Sequence, residues 1–133
     1  GTGRAHLARA ALEAMAYGTA DVVDSMVAVS GTAFDRLRVD GGATRNDWLM
    51  QFQADVLGVP VQRPANVETT AFGAAGLAGI AAGVWAGAAE FYAVQAVTTF
   101  EPTRPRNTMA QWRGGWARAM RAAVAWARDE DVR

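Results

Sequence analysis

Helical periods alternating with short runs of strand character predict an α/β fold, a short and mostly parallel sheet with flanking helices. Three observations carry this. Apolar residues recur at three- and four-residue steps over Ala5 to Val29, Asn46 to Leu57 and Met109 to Arg128, while Ala71 to about Ala82 is a capped run of small residues. Between these stand three short extended runs, Arg36 to Val39, Val59 to Arg63 and Val97 to Phe100. Glycine or proline punctuates nearly every junction. Three short strands make a thin sheet with open edges, and the first residues enter a helix almost at once, so residues 1–133 read as one partial domain, the back part of a larger one.

In the first helix the apolar stripe is Leu7, Ala11, Met15, Val22, Met26 and Val29, with Ala8, Ala14 and Gly18 as small buried positions and Ser30-Gly31 as the stop. The strand from Arg36 alternates polar and apolar and delivers Asp40 to its end. Thr44 or Asn46 can cap the next helix, where Trp48, Phe52 and Val56 share a face and Gly58 ends it before Pro60. Proline at 60 and again at 64 argues that Val59 to Arg63 is a strand start or an edge. Glu68-Thr69-Thr70 then caps a helix whose Gly73, Ala74, Ala75, Gly76, Ala78 and Gly79 leave almost no side-chain volume. Each interior glycine costs roughly 0.5–1 kcal/mol relative to alanine, so something must come very close to this helix: the sheet, a neighbouring helix, or a nucleotide at its N-terminus beside the Thr69 and Thr70 hydroxyls. Glu90 to Gln95 holds one or two helical turns. The closing helix carries Met109, Trp112, Trp116, Met120, Ala123 and Ala127 at helical spacing, interrupted by Gly114-Gly115, and its tryptophans read as core or interface. The tail from Asp129 to Arg133 is expected to be frayed and exposed.

Composition narrows the chemistry. Thirteen basic residues balance thirteen acidic ones, so no positive field invites nucleic acid or an anionic membrane. Every basic residue is arginine, so no lysine is present to clamp phosphate or form a Schiff base. With no cysteine and only His6, disulfides, thiolate catalysis and Cys- or His-rich metal sites are excluded, and a reducing, cytoplasmic setting fits. The longest apolar-looking stretch, Ala71 to Ala89, is too short and too weakly apolar to span a bilayer, and the chain does not open on a signal peptide.

Asp40-Gly41-Gly42-Ala43 lies where the first strand meets the second helix and looks like a nucleotide cradle. Paired glycines permit positive φ and let a ligand approach the main chain without meeting a Cβ, while the following helix offers free N–H groups and its positive dipole end. Strand-to-helix turns also use glycine for steric reasons alone, so both readings stand at this point. Asp40, Asp47 and Asp55 read as strand-end and helix-cap carboxylates rather than as a catalytic base.

Arg38-Val39-Asp40-Gly41-Gly42-Ala43, then Asn46, the run from Leu49 to Val61, Arg63-Pro64 and Glu68 to Ala75 together resemble the C-terminal part of the FGGY carbohydrate kinase family, in its glycerol kinase branch. His6-Leu7, Arg9-Ala10, Leu12-Glu13 and Ala16-Tyr17 upstream, and Gly115-Trp116 and Ala125-Trp126 downstream, extend the likeness over essentially the whole chain. The resemblance implies a two-domain, actin-like ATPase fold with ribonuclease-H-like cores, of which this chain is the C-terminal portion and lacks the N-terminal sugar-binding domain. It implies ATP or ADP with Mg, the Mg ligands, catalytic aspartate and polyol-binding residues lying in segments this chain does not contain. It assigns Gly42 and Asn46 to nucleotide contact, with Gly41 completing the turn. Gly18, Asp47-Trp48 and Gly76 depart from the glycerol kinase pattern, and kinases of erythritol, xylulose or ribulose share the architecture, so polyol identity is not encoded here. A non-catalytic nucleotide-binding or structural remnant of a truncated sugar kinase is the alternative, and a homo-oligomer is possible on the open edges.

Overall fold

The computed structural model describes residues 1–93 and 95–128. In chain order the elements are α1 (Arg4–Ser30), β1 (Leu37–Arg38), a 3-10 turn (Gly42–Arg45), α2 (Asp47–Leu57), β2 (Val61–Pro64), α3 (Thr69–Ala81), α4 (Ala88–Ala93), β3 (Val97–Phe100) and α5 (Arg106–Arg128). The expected fray at the C-terminus falls on residues outside the described ones.

The sheet has the order β1-β2-β3 and is mixed. β1 runs parallel to β2, with Leu37 beside Val61 and Arg38 beside Gln62. β2 and β3 are antiparallel, with Val61 beside Phe100 and Pro64 beside Val97, which corrects the expectation of a mostly parallel sheet. The reason lies in the connection. Two helices separate these strands, and α4 returns along α3, as the stacking of Phe72 on Phe91 records. The chain therefore re-enters the sheet at the end it left, where the Ala65 N–H donates to the Ala96 carbonyl at 2.8 Å. A strand that starts there must run backwards. β2 is the central strand, so proline marks its start at Pro60 and its last residue at Pro64, and the edge reading fails.

The core is formed by Ala16, Tyr17 and Ala20 of α1, Leu49, Met50, Phe52, Ala54 and Val56 of α2, Val61 of β2 and Met109 of α5. Tyr17 stands edge-on to Phe52, and Trp116 stacks on Tyr17, both at centroid distances of 5.5 Å. Trp112 and Trp116 are thus core packers, as their spacing predicts. Two polar contacts hold α5 to α1: Trp116 Nε1 donates to Asp21 at 2.7 Å, and Arg113 pairs with Asp24. Asp55, almost fully buried on α2, accepts from the N–H groups of Thr103 at 2.7 Å and Arg104 at 3.2 Å, and so pins the loop between β3 and α5.

Two helices depart from their sequence patterns, and a third meets the close approach its glycines call for. On α1 the stripe of Leu7, Met15, Val22, Met26 and Val29 is exposed, and the buried face is the one carrying Ala16, Tyr17 and Ala20. This helix is apolar on two sides, so period alone could not choose between them. α5 runs unbroken through Gly114-Gly115, but only its first half is docked, and Met120, Val124 and Trp126 are exposed. On α3 the close approach is aromatic: a methyl group at Gly76 would overlap the Phe91 ring, and one at Gly79 the Trp85 ring. Of the partners foreseen for this helix, the neighbouring helix α4 fills the position at Gly76 through Phe91, while the one at Gly79 is filled by Trp85 from the loop between them.

Candidate functional site

β1 and α2 meet in a turn held both by bonds within it and by bonds to β2 and the segment that follows β2. Val39 donates to the Gln62 carbonyl at 3.0 Å, which carries the parallel pairing past the last strand residue. Gly41 then turns with φ 82° and ψ 171°, a backbone state essentially restricted to glycine, and its N–H donates to the Val67 carbonyl at 2.9 Å. The 3-10 segment follows, closed by Thr44, whose N–H and hydroxyl both bond the Gly41 carbonyl, at 3.2 and 2.7 Å. Asn46 ends it and caps α2, its Oδ1 accepting from the Leu49 N–H at 3.0 Å.

Gly41, Gly42 and Asn46 are therefore brought together on one turn at the carboxyl end of β1. Positive φ belongs to Gly41, whereas Gly42 has none. An added Cβ at Gly42 would meet nothing within 4 Å, so neither backbone conformation nor a neighbour within the described chain calls for glycine there. What remains is room for an outside group to reach the main chain. Asn46 is exposed and commits its carbonyl to the cap, so the cap makes no use of its amide N–H groups.

The acids around the turn are engaged. Asp40 accepts from the Thr69 hydroxyl at the start of α3, Asp47 pairs with Arg63 at 2.7 Å, and Asp55 holds the loop before α5. Thr69 is thereby tied to Asp40, and Glu68 makes no side-chain cap; Asn66 instead accepts from the Glu68 N–H at 3.0 Å. An open cavity of about 420 Å³ adjoins the turn, with Arg38, Asp40, Thr69, Phe72 and Tyr92 among its walls. Each of these three carboxylates thus has a partner among the described residues.

Residues 1–82, spanning α1 to α3, match the FGGY family of carbohydrate kinases, C-terminal domain. The chain belongs to this family. Its sequence is 53% identical over 131 residues to a glycerol kinase of Carboxydothermus hydrogenoformans, covering 98% of this chain and 26% of that one. It is 54% identical over 130 residues to a glycerol kinase of Burkholderia ambifaria, covering 97% and 26%. In structure it resembles Plasmodium falciparum glycerol kinase with ADP, with a TM-score of 0.76 and 28% identity over 91% of this chain and 24% of that one. Xylulose kinase from Rhodospirillum rubrum gives 0.72 at 30% identity over 93% and 25%. The chain spans about a quarter of the length of these FGGY relatives.

Sequence reasoning missed Arg63. It reaches the turn from β2, donating to the Thr44 carbonyl and to Asp47, both at 2.7 Å. The available signal is strand parity: residue 63 lies on the same face as Val61, which is buried, and a charge there needs a partner.

Proposed function

We propose that this chain supplies the adenosine-binding side of the ATP cleft in a polyol kinase of glycerol kinase type, which converts ATP and glycerol to ADP and glycerol 3-phosphate. Residues 1–133 then form one partial domain, the C-terminal portion of an actin-like, ribonuclease-H-like ATPase fold working in the cytoplasm. The observation that carries this reading is Gly42, an exposed glycine with no positive φ and no described neighbour within 4 Å of an added Cβ, four residues before a capping asparagine that is itself exposed. More than half identity to glycerol kinases supports the choice of substrate class. Bound ATP supplies the phosphoryl group, and Mg with its carboxylate ligands and the base belong to other segments. Here Gly41 shapes the turn, Gly42 admits the nucleotide to the main chain, and Asn46 donates to the adenine edge or ribose. A ketose kinase is the second reading, favoured by the likeness to xylulose kinase.

The test uses the cap to separate binding from folding. Asn46→Asp keeps an oxygen for the Leu49 N–H and removes the amide donor, so ADP affinity should fall about tenfold with little loss of stability. Asn46→Ala loses both. Unchanged affinity for ADP in calorimetry of Asn46→Asp would count against the role. The isolated chain should show no ATP-dependent phosphorylation of glycerol, and measurable turnover would overturn the division of labour.

A further inference from the structure

We infer that Arg63 is a positioning residue for the nucleotide turn, holding the segment between Gly42 and Asn46 in the shape that presents both to a nucleotide. This rests on the reading of that turn as the adenosine contact. One nitrogen of the guanidinium, Nη1, bonds the carbonyl of Thr44 and the carboxylate of Asp47, each at 2.7 Å. These acceptors bracket Asn46 in sequence. The arginine is itself held, because it lies over the Phe100 ring at 5.1 Å and its side chain is only 17% exposed, against 75% for Asp47. Phe100 sits on β3, Arg63 on the central strand and Thr44 inside the turn, so the contact ties the turn to the sheet rather than to its own helix.

The Thr44 hydroxyl already closes the turn onto Gly41 from within. Without Arg63 the start of the turn stays tied to β2 and Val67 through Val39 and Gly41, but the Thr44 carbonyl loses its charge-assisted donor and the segment from Thr44 to Asp47 loses its side-chain anchor to the sheet. The Asp47 carboxylate faces solvent, so its ion pair with Arg63 contributes little to stability. What Arg63 adds is a fixed register between the sheet and the two contact positions, and such placement acts on affinity more than on folding.

The experiment is an ADP titration followed through the amide NMR signals of Gly41, Gly42 and Asn46, at a temperature where each variant is folded. Arg63→Met retains the aliphatic stem over Phe100 and removes both bonds. It should weaken ADP about tenfold while the thermal midpoint moves by only a few degrees, and Arg63→Lys should restore part of the affinity. Affinity within about twofold of the unsubstituted chain in folded Arg63→Met would overturn the inference, since a merely structural pair lowers the midpoint alone. Arg63→Gln is judged by the same criterion if Arg63→Met does not fold. The unsubstituted chain separates the two levels of the argument. If ADP leaves the Gly42 and Asn46 signals unmoved, the nucleotide reading falls and this inference with it. If ADP moves them, and Asn46→Asp weakens binding while Arg63→Met does not, only the role of Arg63 falls.

Discussion

α2 and α3 are near neighbours in sequence and opposite in how they are held. Seven of the eleven residues of α2 are buried, among them Leu49, Met50, Phe52 and Val56, whereas only Gly76 of the thirteen in α3 is buried. Both are rich in apolar residues, so hydropathy does not explain the difference. Volume does. Leucine, methionine and phenylalanine carry enough surface for burial to contribute roughly 1.5–3 kcal/mol each, while alanine and glycine carry little. α2 is stabilised by what its own side chains bury. α3 is stabilised by what others insert, the rings of Phe91 and Trp85 filling the spaces its glycines leave.

The contrast breaks most visibly at Phe52. This ring is 2% exposed and touches Tyr17, Trp48 and Trp112, so Phe52→Ala should cost about 3–5 kcal/mol in urea unfolding. Leu77→Ala on α3, where the side chain is 72% exposed, should change stability by less than ~0.5 kcal/mol. Equal effects would mean that α3 is covered in solution.

Gly79→Ala sharpens the comparison from the other side. Helix propensity alone would favour alanine by about 1 kcal/mol, but the new methyl group occupies the place of the Trp85 ring. The net result should be a loss of about 1–3 kcal/mol, confined to α3 and its contacts. Hydrogen exchange should quicken across residues 69–93 and leave α2 protected. A stabilised variant would show that Trp85 moves aside freely.

The same distinction between local and imported order explains what could be read beforehand. β3 appears over Val97–Phe100 as expected, and α2 starts at Asn46, one of the two caps the sequence offers, because strand character and capping are properties of a few adjacent residues. The glycine turn was legible for the same reason. The direction of β3, the buried side of α1 and the free second half of α5 depend on contacts between distant segments, which spacing does not encode. Arg63 belongs with these. Its partners stand 16 and 19 residues away, and nothing local marks it except its inward parity on a strand.

At the turn the predicted effect on stability is smaller and the effect on binding larger. A Cβ added at Gly42 meets no atom within 4 Å and the position needs no positive φ, so Gly42→Val should cost the fold no more than about 0.5–1 kcal/mol, the ordinary cost of a β-branched residue in a helical turn. ADP binding should fall at least about tenfold, because the valine methyl groups fill the approach to the main chain. Calorimetry and thermal unfolding on one sample read both numbers. Unfolding without loss of affinity would make Gly42 a structural glycine after all.

The smallest effect is a pH dependence that separates buried from exposed aromatic groups. Tyr17 is 6% exposed, and burial raises its hydroxyl pKa above the usual 10.0; the Glu13 carboxylate adds to the shift and Arg9 opposes it. The neutral phenol is therefore favoured in the folded state. Below the unfolded pKa both states hold the proton, and the contribution to stability is fully present. As pH rises past that value the unfolded chain ionises first, stability falls, and the contribution is lost once the folded pKa is passed. Tyr17→Phe keeps the edge-on contact with Phe52 and the stack on Trp116 while removing the ionisable group. Urea midpoints taken from neutral pH to above about 10 should decline less steeply in Tyr17→Phe than in the unsubstituted chain, with the two close together at neutral pH. Parallel declines would show that the hydroxyl meets water in the folded state, and that the packing of α1 against α2 and α5 is looser at Tyr17 than its contacts with Phe52 and Trp116 require.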